Sequence, residues 1–377
     1  MTGTAPPLLL HVFPTFGTGG REVRFAAVAN RFGQRWRHAI VAMDGDLSCR
    51  ERLDPGLDVS YPQFVLPKAN TLDNVLRCRA ALRKLAPSLL VTNNWGAIEW
   101  AMANLVPVAR HVHVEDGLGP DEVEHQFSRR IWARRLVLRR STVVLPSHGL
   151  MRMAREIWRL PPTRLRLIPN GVDLGRFGPP ATHVEDVPVI GTVAALRIEK
   201  NLARLLQAFK IVRQTTSARL VIVGDGEERP GLEALAAELG VAADVRFAGH
   251  TARPEREYAR FDIFALSSDT EQMPLSVLEA MAASLPIAAT NVGDVALMVA
   301  KSNQRFVTAK EVLPLADALL ELVRSLDLRR QIGAANRARA EQEYDQEAMF
   351  EAWASEFDEI APAPEPRRAG LGNVPSG

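Results

Sequence analysis

Cysteine is scarce: the 377-residue chain has two, Cys49 and Cys78. Two thiols make neither a disulfide framework nor a four-ligand zinc site, which fits a reducing cytoplasm. Long apolar runs are missing as well. No uninterrupted stretch reaches the roughly eighteen residues that a membrane-spanning helix needs, so none is expected. Met1 to Pro7 has neither the basic start nor the long apolar run of a secretory signal, so secretion is not expected. Two nucleotide-binding signatures are absent. Gly17-Thr18-Gly19-Gly20 is followed by Glu22 where a dinucleotide fingerprint needs glycine, and no G-x-x-x-x-G-K-[ST] occurs. Aromatics amount to 6% and form no stacking platform among the basic residues, so a nucleic-acid partner is not expected.

A net charge of +2 conceals an uneven distribution. Residues 1–170 carry 24 Lys and Arg against 14 Asp and Glu, and residues 171–377 carry 22 against 30. From Arg129 to Arg166 eleven arginines face a single acid, Glu156. Such a block suits phosphates, an anionic membrane surface or nucleic acid, and reads at least equally as a solvated face. On a helical wheel Arg129, Arg130, Arg134, Arg135, Arg139 and Arg140 scatter around the axis, as do Ile131, Trp132, Leu136 and Leu138. A good amphipathic anchor would separate them.

The length asks for two cores. Apolar runs suited to buried strands alternate with helical patterns, which points to parallel sheets covered on both faces. Strands are expected at Leu8–Phe13, Ala39–Met43, Leu89–Thr92, Val108–Val114, Thr142–Leu145 and Leu165–Ile168. After an irregular piece ending at Pro188, the alternation restarts with Val187–Val193, Leu220–Val223, Val245–Ala248, Ile263–Leu266 and Ile287–Thr290. Helices dominate from Leu313 to about Ile360. The expected class is α/β: two doubly wound, Rossmann-like domains facing a cleft. Residues 1–175 form the first domain, 186–345 the second, 346–360 a terminal helix and 361–377 a disordered tail rich in Pro, Ala, Gly and Arg.

The densest chemistry lies between Ser267 and Ala283. Glu271 and Glu279 flank Pro274, where a strand passes into a helix. The free N–H groups and dipole of that helix start favour an anion, and from Pro274 to Glu279 the helix rises about 7–8 Å. A ligand with a phosphate at the turn would meet a carboxylate on each side. Other loops repeat the theme. Gly19 and Gly20 permit close backbone approach after the first strand. Arg197 and Lys200 suit a diphosphate, one as a fork and one as a point charge. Gly224-Asp225-Gly226 suits close approach by a nucleotide.

With Ile168-Pro169-Asn170-Gly171-Val172-Asp173 and Phe247-Ala248-Gly249, these pieces in this order resemble the family-4 retaining glycosyltransferases of the GT-B fold. The resemblance implies a nucleotide-diphosphate sugar donor held by the second domain and a glycan or lipid-linked acceptor on the first. Glu279 would grip the ribose hydroxyls, Glu271 the donor sugar, and the Leu275 and Ser276 amides a phosphate. Arg197 and Lys200 would offset charge on the departing diphosphate, while the Gly19-Gly20 loop closes from the other domain. His113 would lie near the sugar, with Glu115 and Asp116 on the acceptor side. No cofactor and no metal are implied, since the two cations can do a divalent ion's work. In a retaining front-face reaction the leaving phosphate itself can take the acceptor's proton. Three positions depart from the family pattern. Ala195 stands where an arginine is usual, and Gln272 and Ser284 each stand where glycine is. The rival readings are a nucleotide-sugar isomerase and a non-catalytic nucleotide-sugar-binding protein. The expected products are surface polysaccharide or lipid-linked oligosaccharide.

Overall fold

A computed structural model describes residues 5–64, 66, 70–118, 122, 125–178 and 187–359. The tail expected to be disordered lies outside them. Thirteen strands build two all-parallel sheets among the described residues. The first holds β1 (Leu8–Phe13), β2 (Arg37–Ala42), β3 (Val59–Ser60), β4 (Leu89–Asn93), β5 (Arg110–Val114), β6 (Thr142–Leu145) and β7 (Leu165–Leu167), in the order 3-2-1-4-5-6-7. The second holds β8 (Val189–Val193), β9 (Arg219–Val223), β10 (Val245–Gly249), β11 (Ile263–Leu266), β12 (Ile287–Thr290) and β13 (Val307–Thr308), in the order 10-9-8-11-12-13. Both are doubly wound. Each reverses direction beside its first strand, where β1 meets β4 and β8 meets β11, and ligands collect at such switch points beyond the strand ends.

Continuous apolar strands dictate this arrangement. Every residue of β4, β6, β11 and β12 is buried, so helices must cover both faces. The expected strands form, with ends moved by up to two residues. Two strands escaped the sequence, β3 and β13, each two residues long.

The chain crosses between domains twice, and the crossings touch. Val172 N donates to Tyr344 O at 2.8 Å and Gln346 N donates to Val172 O at 3.2 Å. A Cβ on Gly171 would lie 2.6 Å from the Gln346 Cα, so this contact needs glycine. After the second crossing, helix Gln346–Asp358 packs on the first domain. Its Phe350, Trp353 and Phe357 join Leu9, Val28 and Trp36 in one core, and Arg166 donates to its Glu356 at 2.9 Å.

Candidate active site

Two loops of the second domain are stitched together before any ligand arrives. Asp269 N donates to Glu199 O at 2.8 Å. The Asp269 carboxylate accepts from Arg204 at 2.7 Å and from Asn201 Nδ2 at 2.9 Å. Asn201, in the left-handed region at φ +42°, caps helix Leu202–Thr215 through Arg204 N. From β12's side, Asp294 N donates to Gln272 O at 2.9 Å. Gly293, at φ +52°, lets that loop approach so closely that a Cβ would lie 2.4 Å from Glu271 O. The result is a rigid platform carrying Lys200 and Glu271. Lys200 Nζ lies 2.6 Å from Glu271 Oε1, and Ser268 Oγ donates to the same oxygen at 2.8 Å.

Helix Leu275–Ala282 begins one residue after Pro274, which serves as its N-cap. Opposite it, Gly19 is the N-cap of helix Gly20–Phe32. The two helix starts meet across the cleft: a Cβ on Gly20 would lie 3.2 Å from Leu275 Cδ1. Gly19, Gly20, Arg197, Lys200, Glu271, Leu275 and Ser276 line one cavity of about 460 Å³. Two helix N-termini and two cations therefore converge on it, the arrangement a diphosphate requires. Arg197 is exposed and has no side-chain partner among the described residues. Ala195 lines the same wall.

Glu279 is half-buried one turn into its helix, where Tyr258 Oη donates to Glu279 Oε2 at 2.8 Å. Burial pushes its pKa up to about 7, against the opposing pull of the Tyr258 hydroxyl. The folded protein thus holds a proton that the unfolded chain releases near pH 4.5. Between those values stability falls as pH rises, and the loss is complete above about 7. Glu279→Gln is therefore expected to flatten this part of the stability profile, read as melting temperature against pH. If Glu279 holds ribose hydroxyls as a carboxylate, nucleotide affinity rises through the same range in the wild type and not in the variant. Equal slopes in the two proteins would refute the assignment.

On the first domain, Arg24 makes a two-pronged ion pair with Asp116, at 2.7 and 2.8 Å, and donates to Asn170 Oδ1 at 2.7 Å. Asn170 Nδ2 donates to Met273 O at 2.9 Å, which ties the pair to the Glu271 loop. Asp116 lines the cavity. Burial would raise its pKa, yet the charge and hydrogen bonds of Arg24 outweigh burial and hold it below the usual carboxylate range. It is a neutralised anchor and a poor base.

The structure does not bring His113 or Glu115 to this cavity. Both are wholly buried. His113 Nδ1 lies 2.8 Å from Thr92 Oγ1, and Glu115 accepts from Arg134 Nε at 3.3 Å. Arg134 is itself buried, with Trp95 and Trp158 each 5.0 Å away and Glu122 at 3.1 Å. Part of the arginine block is thus core, which corrects the picture of a purely surface patch. Gly224 does not line the cavity either. Its position, at φ +130°, lets the Ala194–Lys200 loop pack, for a Cβ there would lie 1.8 Å from Ala194 O.

Sequence reasoning missed several supporting residues. Asp269, Asn201, Arg204, Tyr258 and Asn170 act through contacts between segments distant in sequence, and Ser268 through its hydroxyl on Glu271 three residues away. Asp294 is another. It accepts from His148 N at 2.5 Å and Gly149 N at 3.0 Å, capping helix His148–Glu156 of the opposite domain. Asp294→Ala is expected to cost about 1–2 kcal/mol, and an unchanged melting temperature would mean this contact does not hold the domains. An Asp44-Gly45-Asp46 run is spent on a turn, where Asp46 N donates to Asp44 Oδ1 at 2.9 Å. Among the described residues, no group of three or more His, Cys, Asp or Glu is placed to hold a metal.

Two doubly wound domains that share a cavity across their cleft define a GT-B architecture. Residues 18–176 match the family model for Glycosyltransferase Family 4, and residues 179–339 match Glycosyl transferases group 1. A GDP-mannose-dependent alpha-(1-6)-phosphatidylinositol monomannoside mannosyltransferase of Mycobacterium tuberculosis is 33% identical over 272 residues, 67% of this chain. The match spans 64% of that relative's own length. A D-inositol 3-phosphate glycosyltransferase of Corynebacterium jeikeium is 27% identical over 308 residues, 73% of each chain. Anabaena HepE in complex with UDP shares the fold at TM-score 0.77 and 20% identity, covering 94% of this chain and 99% of HepE. Sucrose-phosphate synthase from Thermosynechococcus elongatus does so at TM-score 0.76 and 18% identity, covering 94% and 99%. The chain belongs to the family-4 glycosyltransferases with the GT-B fold.

Proposed function

We propose that the protein transfers a hexosyl group from a nucleoside diphosphate sugar to a hydroxyl of a glycan or lipid-linked acceptor, with retention of configuration and without a metal. The observation that carries this reading is the Lys200–Glu271 pair, 2.6 Å apart in a cavity entered by two helix N-termini. The Leu275 and Ser276 amides and the Gly20 helix start bind the two phosphates. Glu279 holds the ribose hydroxyls, and Glu271 holds the sugar. As the anomeric C–O bond breaks, charge grows on the departing diphosphate, where Lys200 and Arg197 offset it. Arg197 takes over the charge that an arginine at position 195 would carry. The departing phosphate oxygen accepts the acceptor's proton, and the acceptor oxygen bonds to the anomeric carbon on the face just vacated. Asp116, tied up by Arg24, then shapes the acceptor wall and moves no proton.

The mycobacterial and corynebacterial relatives act, by their names, on a phosphatidylinositol mannoside and on inositol phosphate. The first of these supports a lipid-linked acceptor and a role at the cytoplasmic side of surface glycan synthesis. Among the described residues no helix is long and apolar enough to cross a membrane. A thermal-shift series against UDP-, GDP- and ADP-sugars tests the donor site. One nucleotide class is expected to raise the melting temperature and, with an acceptor present, to release its nucleoside diphosphate. Stabilisation by none of them would overturn the reading.

A further inference from the structure

A second cavity, of about 730 Å³, opens between the two domains beside the place where the chain crosses from one to the other, and Tyr344 of that crossing lines it. It shares Pro146 and Met273 with the donor cavity, so these two residues are a common wall. Asn170 holds Met273 in place, its N donating to Met273 Sδ at 3.3 Å and its Nδ2 to Met273 O at 2.9 Å. One flank is helix His148–Glu156 of the first domain. His148, Met151, Arg152 and Arg155 line the cavity from it, at the spacing of a single helix face. The other flank belongs to the second domain. It consists of Leu297 and Met298, with Arg339 and Glu343 one turn apart on helix Leu326–Glu343.

The charges in this cavity do not balance. Asp294 and Glu343 are its acids among the described residues, and both are spent. Asp294 accepts from the His148 and Gly149 amides, and Glu343 accepts from Arg339 at 3.1 Å. Arg339 also donates to Leu297 O at 2.8 Å. Arg155 meets only its chain neighbour Glu156, and both are more than half exposed, so that pair is weak. Arg152 is exposed and has no partner among the described residues. Positive charge is therefore left over on the first domain's flank. The remaining lining is apolar: Leu297 is 49% exposed, and Met151, Leu167 and Pro169 are half-buried. Inorganic phosphate would use the arginines and leave this apolar lining in water. A neutral hydrocarbon would leave the arginines unanswered. A small molecule with one anionic group on an apolar body uses both, and the volume lies within the roughly 300–1,000 Å³ of small-molecule sites. Touching both flanks, such a ligand favours the arrangement in which the domains meet.

We propose that this notch is a second ligand site, for a small amphipathic anion whose phosphate or carboxylate meets Arg152 and whose hydrocarbon body lies against Leu297, so that it bridges the two domains. The site is separate from the donor cavity, and its test needs no nucleotide. The full chain is titrated calorimetrically with hexyl phosphate, inorganic phosphate and hexanol. Hexyl phosphate is expected to bind, and each of the other two at least about tenfold more weakly. Arg152→Gln, on the first domain, is expected to weaken hexyl phosphate about tenfold. Leu297→Gln, on the second, is expected to weaken it about three- to tenfold. Both side chains are exposed, so an unchanged melting temperature is expected to confirm that each variant folds. Loss of affinity in both variants supports a bridging ligand. Loss in only one marks a site on a single domain and overturns the proposal. No binding of hexyl phosphate also overturns it, as does equal binding of inorganic phosphate or of hexanol.

Discussion

Lys200→Ala lowers kcat by about two to three orders of magnitude while the protein stays folded. In the free protein Lys200 is partly exposed and paired with Glu271, and such a pair contributes about 0–1 kcal/mol to stability. In the proposed transfer, negative charge on the diphosphate is largest as the sugar leaves, so the loss falls on turnover. Removing one preorganised electrostatic donor typically costs about 10²–10³ in kcat. Without Lys200 the Glu271 carboxylate also loses its balancing charge beside the phosphates, which adds repulsion. The check is kcat at saturating donor together with melting temperature. Turnover within a few-fold of wild type would remove Lys200 from the mechanism.

Gly224→Ala has the largest expected effect on folding. At φ +130° a side chain is strained in itself, at a cost of about 1–3 kcal/mol. Its Cβ would also lie 1.8 Å from Ala194 O, so the loop must move. Leu196 N donates to Asp225 O at 2.9 Å and Glu228 N to Leu196 O at 3.0 Å, so the displaced loop is the one that presents Arg197 and Lys200. Stability and turnover fall together, stability by about 3 kcal/mol or more. Gly231 is the control. It lies in helix Arg229–Glu238 with nothing within 4 Å of its Cβ position. Alanine there is expected to stabilise by about 0.5–1 kcal/mol. Denaturant midpoints for the two variants compare them directly, and similar midpoints would contradict the packing argument.

Much of this architecture was legible because parallel strands buried on both faces appear as continuous apolar runs, as in the IFAL of β11 and the IAA that opens β12. β3 and β13 were not, since two residues carry no periodicity. The same burial on both faces hid the fate of His113. In β5 alternation distinguishes nothing, because His111, Val112, His113 and Val114 are all buried. The cavity-lining residues Gly19, Gly20, Arg197, Lys200, Glu271, Leu275 and Ser276 were visible as strand-end motifs. Glu279 was visible too, though its Tyr258 partner was not. Gly224 was legible as a glycine that matters, but its reason is packing against Ala194. Arg134 was illegible: a basic run does not disclose that one of its members lies between Trp95 and Trp158. The cross-domain contacts of Asp294 and Asn170 depend on the closure of two domains, which no local pattern records.

The central claim is transfer with retention at the Lys200–Glu271 site. It is tested most directly by the proton NMR spectrum of the product formed from an α-linked nucleotide sugar and a hydroxyl acceptor. The account requires an α-glycoside and free nucleoside diphosphate in equal amounts, both absent with Lys200→Ala. A β-glycoside, or a rearranged nucleotide sugar formed without acceptor, would contradict it.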